Sequence, residues 1–384
     1  MNNVWTVNNV NRVHCELSTY CNAICPNCPR YFPGTHTVRS GVTLSQVYLE
    51  DFKKWFSASF IRGVMFWQFC GTHGDPMMAK DVIDIVRYIF EINPRANIFF
   101  NTNGGIRSEE DWTTLGKISR NYNLVVTFSI DGLEDTNHIY RRNVNWKKLI
   151  TNVTNYIDAG GRADWDFLVF RHNEHQIEEA KALSKMLGFS NFFPKRALGF
   201  ESNGKLTDMP AFKPSGEFEY SILPPINSEY KFSSLDSEII QKNRDNLKNF
   251  YTENIDKSLI EYQELVDNFK DESLDNLVEI NCYSKRENKS EIYVNVRGIV
   301  FPCCFIGNSI DSLDNQPHAL QLKNRFKNFD VENFNLNKKS IYEILELNYL
   351  NKLTVATWET SNCLKICKKT CGDVHLVNRV YQRD

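Results

Sequence analysis

"RVHCELSTYCNAICPNCPR", residues 12 to 30, joins a strand to a thiol-rich loop. Its first seven residues, 12–18, carry the apolar and β-branched character of a buried strand. The loop that follows puts three cysteines, Cys21, Cys25 and Cys28, into eight positions. A disulfide framework pairs its thiols, and a structural zinc site takes four ligands. Three thiols leave one position open.

The strand is the first of a series. "VMFWQFC" (64–70), "NIFFNT" (97–102), "LVVTFSI" (124–130), "WDFLVF" (165–170) and "NFFP" (191–194) continue it. Between them lie amphipathic helical patterns: "TLSQVYLEDFKKWF" with Thr43 as N-cap, "MAKDVIDIVRYIFEI", "SEEDWTTLGKISR" with the capping pair Ser108 and Asp111, "NWKKLITNVTNYIDA" and "EHQIEEAKALSKML". A strand every 25 to 40 residues or so is the spacing of βα units in a parallel sheet. Six units predict an α/β fold, a partial (β/α)6 barrel like part of a TIM barrel, with its active site at the C-terminal strand ends. The motifs fall there: "CNAICPNC", "GTHGDP", "NTNGG" and "SIDG" follow the first four strands in turn.

Beyond residue 196 the pattern changes. Residues 197–235 hold prolines and glycines with little periodicity and read as an irregular crossing segment. Residues 236–278 are charged and helical in pattern. "EIYVNVRGIVFPC" (291–303) alternates around Arg297-Gly298, a hairpin signal. A short helix is expected over 340–352. The expected division is a barrel over 1–200, an irregular and helical linker region over 201–280, and a cysteine-rich domain over 281–384.

Of 384 residues 45 are basic and 47 acidic, a formal net charge of −2 that advertises neither a nucleic-acid nor a membrane surface. The start lacks the apolar run of a signal peptide, and no segment approaches a membrane span. The expected location is the cytoplasm. The eleven cysteines lie in groups at 15–28 and 282–371, with Cys70 apart. In a reducing compartment such groups read as metal or redox sites.

Cys21-x3-Cys25-x2-Cys28, on the loop after the first strand of a βα barrel, resembles the signature of the radical S-adenosylmethionine superfamily. The resemblance implies that the three thiolates hold three irons of a 4Fe–4S cluster, whose fourth iron binds S-adenosylmethionine. Asn27 stands before the third cysteine, where the family commonly has an aromatic residue. "CGTHGDP" (70–76) is similar to the Gly-Gly-Glu-Pro segment of the family, which makes Gly74 and Asp75 candidates for the ligand's amino group. "NTNGG" (101–105) and "SIDG" (129–132) resemble the next strand ends, with Asn103, Ser129 and Asp131 as polar contacts. For the ligand's carboxylate a cation is expected among Arg141, Arg142, Arg171, Lys195 and Arg196. The competing reading of the first thiols is a zinc knuckle completed by Cys15.

Cys282-x15-Gly298-x4-Cys303, closed by Cys363-x3-Cys367-x3-Cys371, is similar to the SPASM or twitch extension of that superfamily. The shortened run implies one auxiliary 4Fe–4S cluster, with five thiols for four places and Cys304 turned away. A zinc site from Cys363, Cys367, Cys371 and His375 competes with it. Cys70 reads as a core residue, and His138 and His172 as solvated or capping.

The resemblance implies an oxidoreductase or modifying enzyme: a 5′-deoxyadenosyl radical abstracts hydrogen from a peptide or protein side chain, or from an aminosugar or cyclitol. An electron donor such as flavodoxin or ferredoxin is implied with it. Cys21 arrives too early for a peptide-clasping domain ahead of the barrel, which lowers the peptide option. The alternative is a non-catalytic iron–sulfur or zinc protein acting as sensor or carrier.

Overall fold

In the computed structural model the described residues are 4–230 and 280–371, apart from 203–204, 207, 281, 283, 287–288, 312–320, 323, 326–330 and 359–362. The helices expected over 236–278, and His375, lie outside them. The six expected strands are present as β1 (Val10–Cys15), β2 (Phe66–Cys70), β3 (Asn97–Thr102), β4 (Asn123–Ser129), β5 (Arg162–Val169) and β6 (Asn191–Arg196). Helices separate them, and the sheet is mostly parallel, so the α/β class holds. The alternation in "NIFFNT" is real: Ile98, Phe100 and Thr102 are buried and the residues between are not.

Residues 1–20, 40–100 and 266–384 make one compact unit, and residues 21–39 and 101–265 a second. In the first, β1 pairs in parallel with β2, Val13 opposite Trp67. On its other side β1 pairs, also in parallel, with a strand from far along the chain, Lys289–Val294. That strand then turns and pairs antiparallel with Val300–Phe301, the hairpin the sequence predicted. The Asn295 side chain accepts the N–H groups of Arg297 and Ile299, both at 3.0 Å, and Gly298 takes φ +77°, where a side chain would be strained. In helix Val82–Ile92, Val82, Ile85, Val86, Ile89 and Phe90 form one buried stripe.

One helix starts later than Thr43. It begins at Leu49, because Thr19 claims the segment before it. The Thr19 hydroxyl donates to Thr43 O at 2.7 Å and accepts from Ser45 N at 2.8 Å, and Val47 N donates to Leu17 O. Long-range bonds outweigh the local helical pattern there.

In the second unit β4, β5 and β6 run parallel, with Phe128 opposite Trp165 and Trp165 opposite Phe192. Helix Glu109–Asn121 opens with the expected capping box: Ser108 Oγ accepts from Asp111 N, and Asp111 accepts from Ser108 N. Residues 197–230 are more ordered than their composition suggests. Met209–Phe212 and Phe218–Ile222 form an antiparallel pair, closed by the edge-on rings of Phe212 and Phe218 at 6.0 Å. No helix among the described residues is long and apolar enough to cross a membrane.

Candidate iron–sulfur and S-adenosylmethionine sites

The loop after β1 is wound tightly. Cys28 N donates to Cys25 O, Tyr31 N to Cys28 O and Gly34 N to Pro26 O, which gathers Cys21, Cys25 and Cys28 in the second unit. Burial pushes the Cys28 thiol up to about 12, with Cys25 nearby adding to the shift. Burial also raises Cys25, against the pull of Arg141. Crowded thiols resist ionising together, and a cationic core is what lets them do so.

Two donors meet these sulfurs. Arg141 Nη1 lies 3.7 Å from Cys25 Sγ, and its Nε donates to Asp131 Oδ2 at 2.5 Å. Asp131 is fully buried and its other oxygen accepts Leu168 N at 2.7 Å. Burial raises the Asp131 carboxyl while Arg141 opposes it. Asn103 Nδ2 donates to Asn22 Oδ1 at 2.8 Å and lies 3.8 Å from Cys21 Sγ, while its Oδ1 accepts Gly105 N. The structure thus brings Asn103 to Cys21, and Asp131, through Arg141, to Cys25. Ser129 stands half-buried at the end of β4, opposite Asp166.

Of the five cations expected near strand ends, Arg141 reaches the thiol loop with its guanidinium. The others are engaged elsewhere. Lys195 pairs with Asp166 at 2.6 Å, Arg171 donates to Pro224 O, Arg196 to Glu229 O, and Arg142 to Phe212 O and Glu219. Sequence reasoning missed the brace formed by residues 209–222. Phe212 N donates to Gly34 O at 2.9 Å, and His36 bonds Phe212 O at 3.1 Å. Gly34 and residue 212 stand far apart in the chain, and no local signal joins them.

In the first unit the loop 71–75 folds on itself. A Cβ on Gly71 would fall 1.9 Å from Gly74 O, and one on Gly74 would fall 2.0 Å from Ser18 O, so both positions require glycine. Asp75 is 4% exposed; its Oδ1 accepts Met77 N at 3.0 Å and its N–H donates to Tyr20 O. Its carboxylate therefore caps a short 3-10 turn, Pro76–Met78. Sequence reasoning also missed Glu16. Its Oε1 accepts His73 N at 2.6 Å and its Oε2 accepts the Tyr293 hydroxyl at 2.8 Å. Burial works to raise this carboxyl, yet the bonds from His73 and Tyr293 hold it below the usual range. A lone acidic residue in the apolar run "HCELS" is the one signal that could have found it.

The C-terminal thiols of the same unit surround a cavity lined by Cys282, Cys303, Cys367 and Cys371, with Trp5 and Trp358. Cys363 is not in that lining; its sulfur lies 3.7 Å from Leu364 O. Cys304 opens helix Cys304–Asp311 and is also absent from the lining, so helix geometry rather than strand alternation separates it from Cys303. The Cys371 thiol beside Cys282, then burial, pushes Cys282 well up, and burial brings Cys303 to about 12. Cys70 is half-buried rather than a core residue, because it ends β2 where the strand leaves the sheet. Cys15 is fully buried within β1. Among the described residues no three His, Cys, Asp or Glu side chains gather closely enough for a single metal ion. A four-iron core spreads its thiolates over separate corners, and both thiol sets suit that wider arrangement.

No protein-family model matches the chain, and no curated protein matches it. Among solved structures, Streptococcus suis SuiB bound to the precursor peptide SuiA is similar over 98% of this chain and 74% of its own, at 12% identity and a TM-score of 0.51. SuiB bound to S-adenosylmethionine matches 78% of this chain at 11% identity and a TM-score of 0.44, and there the chain spans 61% of SuiB's length. The enzyme anSMEcpe with bound AdoMet matches over 94% of this chain and 85% of its own, at 14% identity and a TM-score of 0.48. The chain has the α/β fold of the radical S-adenosylmethionine enzymes, SuiB among them.

Proposed function

We propose that the chain is a radical S-adenosylmethionine enzyme, in which Cys21, Cys25 and Cys28 hold a 4Fe–4S cluster and Cys282, Cys303, Cys367 and Cys371 hold an auxiliary one. The observation that carries the reading is the three-thiol loop after β1, with Arg141 against Cys25. On this assignment Cys363 is the surplus thiol and braces the C-terminal segment. When bound, the clusters supply the electron that splits S-adenosylmethionine into methionine and a 5′-deoxyadenosyl radical, and an acceptor for the electron left on substrate.

The chain's own residues bind and orient. In the second unit Arg141, held by Asp131, offers a guanidinium to the ligand's carboxylate, and Asn103 and Ser129 are the neutral contacts. In the first unit Gly74 admits close approach of the backbone, and Asp75 is the acidic candidate for the ligand's ammonium. The substrate class best supported is a ribosomally made peptide or protein side chain, because SuiB was solved with its precursor peptide SuiA. A flavodoxin or ferredoxin as electron donor and a cytoplasmic location belong to the same proposal. The test is anaerobic incubation of the reconstituted protein with dithionite and S-adenosylmethionine. Release of 5′-deoxyadenosine supports the enzyme, and its absence from iron-loaded protein favours a sensor or carrier.

A further inference from the structure

A glutamate with no exposed surface is costly unless every lone pair is used. Glu16, 0% exposed just beyond β1, uses them on two elements distant in sequence. One oxygen takes the backbone N–H of His73, in the middle of the loop 71–75, at 2.6 Å. The other takes the Tyr293 hydroxyl at 2.8 Å, with His73 Nδ1 at 3.8 Å. His73 is 2% exposed and Tyr293 fully buried, so solvent cannot replace either bond. We propose that Glu16 is a positioning residue for S-adenosylmethionine, setting the main chain of loop 71–75 for the ligand's amino group. The inference rests on the reading above that this loop binds that ligand.

The loop has little freedom apart from Glu16. Gly74 lies against Ser18 O, and Asp75 N donates to Tyr20 O, so its C-terminal half is fixed on the chain that follows β1. The N-terminal half begins at Cys70, whose carbonyl accepts from His14 Nε2 at 2.7 Å. Between those anchors the Glu16 bond to His73 sets the loop's course. Tyr293 holds the carboxylate from the far side and is itself wedged. His14 meets its ring edge-on at 5.0 Å, and a Cβ on Gly307 would come within 2.4 Å of it. Gly307 belongs to the helix that starts at Cys304, so the segment carrying Cys303 and the loop 71–75 are tied through one carboxylate.

The experiment compares reconstituted wild type with Glu16→Leu, Glu16→Gln and Tyr293→Phe. Three readouts are taken: the dissociation constant for S-adenosylmethionine without reductant, the rate of nucleoside release resolved into KM and kcat, and the electron paramagnetic resonance of the ligand-free cluster. Glu16→Leu should raise the dissociation constant about tenfold or more, with the loss in KM rather than kcat and the ligand-free spectrum retained. Glu16→Gln keeps an oxygen for the His73 N–H and should recover most of the affinity. Tyr293→Phe should give a smaller rise. Wild-type affinity in loaded Glu16→Leu protein, or equal losses in the Leu and Gln variants, overturns the proposal. Should Glu16→Leu not fold, an unchanged constant in Tyr293→Phe overturns it. Wild type that binds no S-adenosylmethionine would instead refute the reading of the loop.

Discussion

Asp131→Asn isolates the ion pair that holds Arg141 at the thiol loop. The change keeps an oxygen for the Leu168 N–H and removes only the charge. The pair closes at 2.5 Å, with the Asp131 side chain 0% and the Arg141 side chain 17% exposed, so the stranded guanidinium has little water to turn to. Breaking one side of a buried pair costs about 3–5 kcal/mol, and the partial exposure of Arg141 places the loss near the lower figure, about 3 kcal/mol. Removing both charges is far milder, because an apolar pair of similar volume is often neutral. Asp131→Asn combined with Arg141→Met should therefore recover most of the stability while forfeiting the ligand's carboxylate contact. Urea unfolding of anaerobically reconstituted protein, followed by circular dichroism with iron content on the same samples, gives the three free energies. A single-variant loss below about 1 kcal/mol, or a double variant as unstable as the sum of its parts, would refute the reasoning.

Asp75→Asn keeps an oxygen for the Met77 N–H but loses the charge; it should weaken S-adenosylmethionine binding by about 1.5–3 kcal/mol with a near-native melting temperature, and calorimetry showing full affinity would return Asp75 to a turn role. Gly34→Ala puts a Cβ 2.1 Å from Pro210 O at φ +72°; it should cost about 2 kcal/mol or more and speed proteolysis between residues 209 and 222, and a native digestion rate would contradict the brace. His172, stacked on Phe170 at 5.3 Å, has its pKa lowered to about 4 by burial and by His138 and His175. It is neutral in the fold and charges on unfolding, so its contribution is whole above about pH 6.5 and falls as pH drops toward 4, by up to about 3 kcal/mol. Urea midpoints between pH 4 and 8 should flatten in His172→Phe, and identical slopes would dismiss this group.

The parallel strands were legible because each is a short apolar run, bounded by turn residues and separated by helix-length patterns. The capping box at Ser108 and the turn at Gly298 were legible because a few adjacent residues specify them. What escaped reading depends on chain returning from afar. Strand Lys289–Val294 alternates as a hairpin should, yet nothing local says that its other edge pairs with β1. Thr43 has the chemistry of an N-cap, but Thr19 uses its carbonyl first. At the site, the thiol spacing named the cysteines, while the choice of Arg141 among five cations needed the Asp131 contact. Cys363 and Cys367 look alike in sequence, and only the cavity lining separates them.

Iron per chain, measured after anaerobic reconstitution in wild type and two folded variants, bears on the whole account. Two clusters predict about eight irons in wild type. Cys21, Cys25 and Cys28 changed together to Ala should halve the iron and abolish 5′-deoxyadenosine. Cys282→Ala with Cys303→Ala should also halve it, yet keep 5′-deoxyadenosine release while stopping oxidised product. Unchanged iron in either variant, or one zinc per chain in place of iron, would contradict the account.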